Sequence, residues 1–279
     1  ADAVLENEFT THENPRFRAR AFWVLNKGPR SNEFIQKAYD QSNPNLKAMA
    51  IRAAKQKPFA EWSALATKAV KDQHASVRRE LAIALRHLSG EDVNKLWASL
   101  AMRHNGTDRW YLEALGIGAD GNWDERFAAY SALKPENSKG YADIVWRART
   151  EKALPALIDM IGKTKSPAYF RALDFMPGDQ KSEALFGLIQ GPFATDAISQ
   201  LEAVRHMKPA YITSHPEVKQ MLLSLLKQTT GKQYLELVDY YQLKEESDRV
   251  VGMILSRTES TKAGQVLYNL PGGSSLIRS

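Results

Sequence analysis

Reactive and aromatic side chains are densest between Asp108 and Gly121, where the chain reads Asp-Arg-Trp-Tyr-Leu-Glu-Ala-Leu-Gly-Ile-Gly-Ala-Asp-Gly. Carboxylates beside an aromatic cleft are groups that general acid and base catalysis uses, and Asp108 and Asp120 are the candidates here. Their positions along the chain do not fix the distance between them in space. A small enzyme built around Asp108 and Asp120 is therefore one of three functional hypotheses.

The same segment has a structural interpretation that needs no ligand. Asp108 stands where a helix would begin, and its carboxylate can accept hydrogen bonds from the free N–H groups of the first turn. Arg109 and Glu113 have the i, i+4 spacing at which opposite charges pair on a helix. Arginine and aromatic side chains also anchor many protein interfaces, which gives a second interpretation, a binding surface. The candidate surface consists of Asp108, Arg109, Trp110, Tyr111, Glu113, Trp146 and Arg147.

Other catalytic and metal-binding motifs are absent from the sequence. The six histidines show no H-x-x-x-H spacing and no arrangement with carboxylates that predicts a metal site. There is no G-x-S-x-G elbow, no P-loop and no glycine-rich dinucleotide turn after a strand. Gly116 and Gly118 are expected to end a helix instead. The six tryptophans could form a stacking platform, but we expect at least four of them to pack in the core.

Composition limits the class of protein. The 279 residues are 43% hydrophobic and 25% charged, enough for a large core in a globular chain. No apolar run approaches the roughly 18–20 residues of a membrane span, and no signal peptide is visible at the first residues. The absence of cysteine excludes disulfides, thiolate metal sites and covalent c-type haem attachment within this sequence. The net charge of +6 is a mild excess that favours a solvated surface over a nucleic-acid site.

Paired-helix repeats are expected to position these side chains. The run Asn14-Pro15-Arg16-Phe17-Arg18 returns as Asn43-Pro44-Asn45-Leu46-Lys47, with a looser copy, His74-Ala75-Ser76-Val77-Arg78. The apolar residues of these runs are 29 and 31 residues apart, a period typical of helix pairs that stack and share one core. The sequence therefore predicts an all-α fold, a right-handed α-α superhelix of the HEAT-like solenoid type. We expect one domain over 1–279, regular to about residue 105 and irregular after it.

The apolar periodicity and the helix-start signals predict seventeen helices. They are placed at 15–26, 31–40, 44–55, 59–71, 75–88, 91–104, 108–118, 123–132, 138–148, 151–161, 167–176, 181–188, 194–206, 216–228, 231–241, 246–256 and 261–269. The chain starts without an initiator methionine and ends in a predicted loop rather than a polar capping helix. We therefore expect it to be part of a longer polypeptide.

Five stretches carry a family resemblance: 14–23, 76–80, 108–116, 145–147 and 172–175. Together they resemble the HEAT-repeat region of large bacterial multidomain proteins described as membrane-bound dehydrogenases or as planctomycete-type haem-binding proteins. The resemblance covers residues 10–275, and Asp-Arg-Trp-Tyr-Leu-Glu-Ala-Leu-Gly is its most specific string. Members of that family carry a sugar-dehydrogenase-like propeller before this region and a c-type cytochrome domain after it.

That resemblance implies a connector rather than a catalytic domain. It implies no catalytic residue and no cofactor in this segment, with covalent haem in a C-terminal domain that this sequence does not include. The implied partners are the flanking domains or another protein, and the implied location is the periplasm or cell envelope. The leading hypothesis is a non-catalytic scaffold in an exported bacterial oxidoreductase. The alternative is a nucleic-acid-binding HEAT-repeat protein similar to the alkylpurine DNA glycosylases, which would need Arg and Lys gathered on the concave helices.

Overall fold

The computed structural model describes residues 2–136 and 138–273, and all regular secondary structure in these ranges is helical. The predicted all-α class is therefore confirmed. The α-helices are α1 (Asp2–Thr11), α2 (Pro15–Leu25), α3 (Ser31–Tyr39), α4 (Pro44–Ala54), α5 (Phe59–Val70), α6 (Ala75–Ala84), α7 (Glu91–Ala101), α8 (Arg109–Ala119), α9 (Trp123–Ala132), α10 (Lys139–Arg147), α11 (Leu154–Thr164), α12 (Pro167–Ala172), α13 (Gln180–Gln190), α14 (Ala197–Arg205), α15 (Pro209–Ser214), α16 (Pro216–Leu226), α17 (Gly231–Tyr241), α18 (Ser247–Leu255) and α19 (Ser260–Asn269). Short 3-10 turns occur at Glu151–Ala153, Leu173–Phe175 and Lys244–Glu246.

Two of these helices, α1 and α15, are missing from the sequence prediction. The sequence of α1 has little apolar periodicity, and the helix is held by tertiary packing, with the Phe9 ring 5.8 Å from that of Phe22. Helix α15 spans only six residues, too few for a periodic pattern to be recognised. None of the described helices combines the length and the apolar character needed to cross a membrane.

Asparagine–proline pairs begin helices as predicted. The side chains of Asn14 and Asn43 accept hydrogen bonds at 2.9 Å from the backbone N–H groups two residues on. The prolines that follow occupy the first helical position, where the missing N–H has no helical partner. Ser166 also precedes a proline at a helix start, but its side chain makes no capping hydrogen bond.

The chain forms two compact units, the first ending at Ala153 and the second beginning at Leu154. In the first unit α4, α6 and α8 contact one another in sequence, and so do α5, α7 and α9. The two rows of helices meet over a buried core that includes Val77, Leu81, Leu85, Trp97 and Leu115. In the second unit α13 contacts α11 and α14, α16 contacts α14 and α15, and α19 contacts α17 and α18. The single-domain organisation expected for 1–279 stays a prediction.

The basic residues of the repeat signature bind the ends of neighbouring helices. Arg18 Nε donates to the Phe9 carbonyl at 2.9 Å, and Arg78 Nη1 donates to the Asp72 carbonyl at 2.7 Å. In the middle copy, Lys47 Nζ instead donates to the Asp72 carboxylate at 2.8 Å. The final carbonyls of a helix have no intrahelical donor, so a cation placed there satisfies them. This explains the basic residue in the first and third copies, whereas in the middle copy the cation pairs with a carboxylate that follows α5.

The same arrangement recurs at other helix ends. Arg126 is fully buried, and its Nη2 donates to the carbonyls of Leu85 and Leu88 at 2.6 and 2.9 Å. These bonds occupy carbonyls that follow α6, which ends at Ala84 rather than at residue 88 as predicted. In the second unit Arg249 donates to the carbonyls of Leu226 and Thr229, both at 2.6 Å.

Gly116 and Gly118 lie inside α8, so the expectation that they end a helix was wrong. A Cβ on Gly118 would stand 2.3 Å from the Ala82 carbonyl oxygen of α6, well below van der Waals contact. A Cβ on Gly116 would meet the Arg147 guanidinium at 2.5 Å. The glycines therefore serve close packing of α8 against α6 and against a side chain of α10.

The tryptophans are less buried than the sequence predicted. Trp62, Trp97 and Trp123 are buried, which makes three rather than at least four core tryptophans. Trp23 and Trp146 are half-buried, and Trp110 is exposed. Trp97 is fully buried, and its Nε1 donates to the Leu115 carbonyl at 3.0 Å.

Candidate functional site

The N-terminus of α8 is organised by Asp108, as the sequence predicted. Asp108 Oδ1 accepts a hydrogen bond from the Tyr111 backbone N–H at 3.0 Å, which satisfies one of the free donors of the first turn. Arg79 of α6 approaches the same carboxylate, with Nη1 to Oδ2 at 3.4 Å. Asp108 therefore both caps α8 and ties it to α6.

Glu113 is the centre of a cluster from two helices. It pairs with Arg109 Nη2 at 2.5 Å, which confirms the predicted i, i+4 pair, and with Arg147 Nε at 3.2 Å. The Arg109 guanidinium lies 5.0 Å from the centroid of the Trp146 ring, within cation–π range. Four of the predicted surface residues thus meet, although α8 and α10 are distant in the sequence.

Adjacent aromatic residues of α8, Trp110 and Tyr111, differ in their exposure to solvent. Tyr111 is buried, donates its hydroxyl hydrogen to the Leu100 carbonyl at 2.8 Å and has the Arg78 guanidinium 5.3 Å from its ring centroid. Burial raises the pKa of the Tyr111 phenol. Tyr111 therefore takes no part in the predicted surface. Trp110 is 74% exposed, a large fraction for an indole.

Trp110 is one of the residues that line a groove of about 490 Å³ across α4, α6 and α8. We call it the α4–α6–α8 groove. Its apolar lining comprises Ala48, Ile83, Trp110, Ala114 and Ile117. Its polar lining comprises Asn45, Arg52, Ser76, Arg79, Glu80 and Glu113. The groove is a continuous surface only because the three helices lie side by side.

Charged groups along the groove are paired, and in two of the pairs the arginine is clearly the more exposed partner. Arg52 Nη2 of α4 lies 2.7 Å from Glu80 Oε2 of α6, and this hydrogen bond raises the pKa of the Arg52 guanidinium. The Arg52 side chain is 60% exposed, whereas that of Glu80 is 9% exposed. The same order holds for Arg109 and Glu113, at 63% and 30%, although Arg109 precedes Trp110 on α8 and is not itself a lining residue. Arg79 and Asp108 are about equally exposed, and Arg147 is less exposed than Glu113. At Arg52 and Arg109, an approaching molecule therefore meets the guanidinium group before the carboxylate.

Sequence reasoning missed the contributions of α4 and α6 to this groove. The three helices place one residue each at the same distance in sequence from the residue before the helix. These residues are Arg52 after Asn43, Ile83 after His74 and Ile117 after Asp108. An alignment of the repeats by helix start would have placed these side chains on one face. The sequence therefore contained this information, but using it required the assumption that successive repeats pack side by side.

Asp108 and Asp120 do not form an acid–base pair. They flank α8 at its two ends, so about 18 Å of helix separates them at 1.5 Å per residue. Asp120 Oδ2 pairs with Arg86 Nη2 at 2.5 Å in an exposed ion pair. The two carboxylates on which the enzyme hypothesis rested are therefore in different environments.

Histidines have carboxylate neighbours that the sequence did not indicate. His206 Nδ1 lies 2.7 Å from Asp174 Oδ1, and its Nε2 lies 3.4 Å from Glu202 Oε1. His104 Nε2 lies 2.9 Å from Asp143 Oδ2. Over residues 2–136 and 138–273, no three His, Asp or Glu side chains are grouped so that they could hold a metal ion.

The α4–α6–α8 groove is lined by two of the seven predicted surface residues, Glu113 and Trp110, and Trp110 is the most exposed tryptophan of the chain. Comparison with family models, with curated proteins and with solved structures finds no match for the chain. The HEAT-repeat resemblance drawn from residues 14–23 and 108–116 therefore stays a prediction.

Proposed function

We propose that this chain is a non-catalytic helical-repeat scaffold that binds a protein through the α4–α6–α8 groove. The observation that carries the proposal is the position of Trp110, 74% exposed above an apolar floor and bordered by arginines. Tryptophan and arginine dominate the binding energy of protein interfaces, and exposed apolar surface rimmed by charge is typical of such sites.

A helix cap and several ion pairs connect the side chains in and beside the groove. The Asp108 cap fixes the start of α8, and Glu113 is held by arginines from two helices. Arg79 connects α6 to Asp108, and Arg52 connects α4 to Glu80. Interface side chains that are already ordered lose less conformational entropy on binding, so the ion pairs favour recognition.

The proposal includes the right-handed superhelical stacking that the 29- and 31-residue intervals predict. Support comes from the first unit, where α4, α6 and α8 form one row and α5, α7 and α9 another. In helix-pair repeats each unit contacts its neighbours in this way.

The wider context is proposed from the family resemblance. There the scaffold joins a dehydrogenase-like propeller to a c-type cytochrome domain in an exported bacterial oxidoreductase. The test is the intact mass and absorption spectrum of the protein purified from its native source. A product much heavier than 31.3 kDa with covalent haem supports the connector, and a haem-free protein of that mass refutes it.

Site-specific photo-crosslinking in the source cells tests the interaction itself. A benzophenone amino acid replaces Trp110 in one variant and Ile198 of α14, which is 83% exposed, in a control variant. We expect one protein, identified by mass spectrometry, to be captured from position 110 and not from position 198. Capture of no protein at position 110, or of the same proteins at both positions, contradicts the proposal.

Nucleic-acid binding is a second candidate, favoured by the outward arginines and the exposed indole of the groove. Each of these arginines faces a carboxylate: Arg52 faces Glu80, Arg79 faces Asp108, and Arg109 and Arg147 share Glu113. Such pairing reduces the positive potential that a phosphate backbone needs. Binding to a DNA duplex that weakens steeply with salt would replace the protein-scaffold proposal by this one.

A further inference from the structure

We infer that the α4–α6–α8 groove accepts an acidic protein segment with a large apolar side chain between its carboxylates. This inference rests on the proposed function and specifies its partner. The partner's carboxylates bind Arg52 and Arg109, and its apolar side chain packs against Trp110. Each part of the inference comes from a separate property of the groove.

The preference for acidic groups comes from the depth at which the charges lie. Arg52 and Arg109 are 60% and 63% exposed, and the carboxylates that hold them are 9% and 30% exposed. A guanidinium has five N–H donors, and Glu80 engages Arg52 through Nη2. Donors therefore remain for a second carboxylate, and charge-assisted hydrogen bonds of this kind are among the stronger ones.

Pairing with a less exposed carboxylate orders these two arginine side chains before a ligand arrives. A long side chain loses rotamer entropy when a ligand fixes it, and here the partner carboxylate has already fixed it. Arg109 is further restrained by the Trp146 ring, 5.0 Å from its guanidinium carbon. An incoming carboxylate thus meets guanidinium groups that are already oriented.

The apolar requirement comes from the aliphatic side chains that line the groove together with Arg52 and Trp110. Ile117, two turns after Trp110 on α8, is 39% exposed, Ile83 is half-buried, and Ala48 and Ala114 are small enough to leave a depression. Aliphatic walls of this kind gain free energy by covering a Leu, Met or Phe side chain. A phosphate backbone would instead place charge over apolar surface, so a protein segment fits better than a nucleic acid.

The width of the groove sets the length of the probe. Three packed helices at interaxial distances of about 8–10 Å span roughly 20 Å, which a helix of about 14 residues also spans. We therefore specify three labelled 14-residue helical peptides. The first has Leu flanked by Glu residues on one face, the second has Lys in place of Glu, and the third has Ala in place of Leu.

Fluorescence anisotropy with these peptides and the full chain is the test. The Glu–Leu peptide is expected to bind, and both altered peptides are expected to bind about tenfold or more weakly, the effect of losing one charge-assisted hydrogen bond or one buried side chain. Each of three substitutions should weaken binding of the Glu–Leu peptide to a similar extent: Arg52→Gln, Arg109→Gln and Trp110→Ala. Lys95→Gln is the matched control, because Lys95 is 64% exposed and forms an i, i+4 pair with Glu91 on α7, outside the groove.

A charge exchange separates recognition from damage to the fold. The double variant R52E/R109E should bind the Lys–Leu peptide in preference to the Glu–Leu peptide, which a merely misfolded groove would not do. Equal binding of the Glu–Leu and Lys–Leu peptides by the unaltered chain overturns the acidic preference. Absence of binding by every peptide, together with protein capture at position 110, overturns this inference and leaves the proposed function standing.

A single-stranded DNA of about 14 nucleotides serves as the competing macromolecule. If it displaces the Glu–Leu peptide and its affinity falls steeply with salt, the groove is a nucleic-acid site and the inference is overturned. If it does not compete at moderate salt, the outcome supports the acidic protein segment.

Discussion

Replacing Gly118 with alanine tests the close contact that brings α6 and α8 together beneath the groove. Where a helix has room for the added methyl group, this substitution stabilises the helix, because glycine is about 1 kcal/mol less favourable than alanine in a helix interior. At position 118 the new Cβ would stand 2.3 Å from the Ala82 carbonyl oxygen, whereas ordinary contact begins near 3.4 Å. The helices would have to separate by about 1 Å, since the obstacle is backbone and cannot rotate away.

The two effects oppose each other, and the steric one is larger. Overpacking of a well-packed core costs about 1–3 kcal/mol, and a clash with backbone places this site at the upper end. After the gain in helix propensity, Gly118→Ala is expected to lower the free energy of unfolding by about 2 kcal/mol. Gly187→Ala is the matched control, because Gly187 lies inside α13 and a methyl group added to it would have no atom within 4 Å. That variant should be stabilised by about 0.5–1 kcal/mol.

Urea denaturation followed by circular dichroism gives both free energies. The expected difference between the two variants is about 3 kcal/mol, with Gly118→Ala less stable and Gly187→Ala more stable than the unaltered chain. Peptide binding to the groove should weaken in Gly118→Ala alone, because the separation of α6 and α8 changes its floor. Equal stabilisation of both variants would refute the close approach of α6 and α8.

Arg126→Ala should lower the free energy of unfolding by about 3 kcal/mol in urea, because it leaves a cavity and removes the donor to the Leu88 carbonyl, whereas the Leu85 carbonyl keeps a hydrogen bond from the Leu88 N–H. Arg126→Met should recover part of that loss, and equal losses in the two variants would contradict the cavity contribution. Burial raises the pKa of Asp72, but hydrogen bonds from Lys47 and from a backbone N–H outweigh burial and hold that pKa below its usual value. A carboxyl whose pKa is lower in the folded than in the unfolded chain stabilises the fold above the unfolded pKa, and this stability is lost as pH falls through the folded pKa. The melting temperature of the unaltered chain should therefore fall more steeply below about pH 4 than that of Asp72→Asn. Parallel profiles of melting temperature against pH would argue against the Lys47–Asp72 pair. Asp108→Ala should lower the free energy of unfolding by about 1 kcal/mol in thermal denaturation, because the helix cap is lost. Asp120→Ala removes only an exposed ion pair and should lower it by less than about 0.5 kcal/mol, and the reverse order would contradict the assignment of the cap.

Features that depend on neighbours within one turn of helix could be predicted. The starts of α2 and α4, the cap at Asp108 and the Arg109–Glu113 pair agree with the structure. Each involves groups only a few residues apart, so the local sequence contains both partners. The basic position of the repeat was recognised, but its hydrogen bonds to carbonyls at helix ends were not.

Features that depend on contacts between helices could not be predicted in the same way. Gly118 was assigned to a helix end because the same residue type serves there, and only the Ala82 carbonyl distinguishes the two uses. Trp110 and Tyr111 are neighbours in the sequence, yet one is exposed and the other buried, according to which face of α8 meets the core.

Local patterns in the chain were enough to establish the helical class, most helix boundaries and the members of one ion pair, because helical periodicity and capping act over a few residues. The packing of the helices, in contrast, brings Arg52, Glu80 and Trp110 from three helices into one groove. It also sets which charges lie outermost there. The physical reason is that depth and proximity across helices follow from how closely their backbones pack, and that distance depends on side chains far apart in the chain.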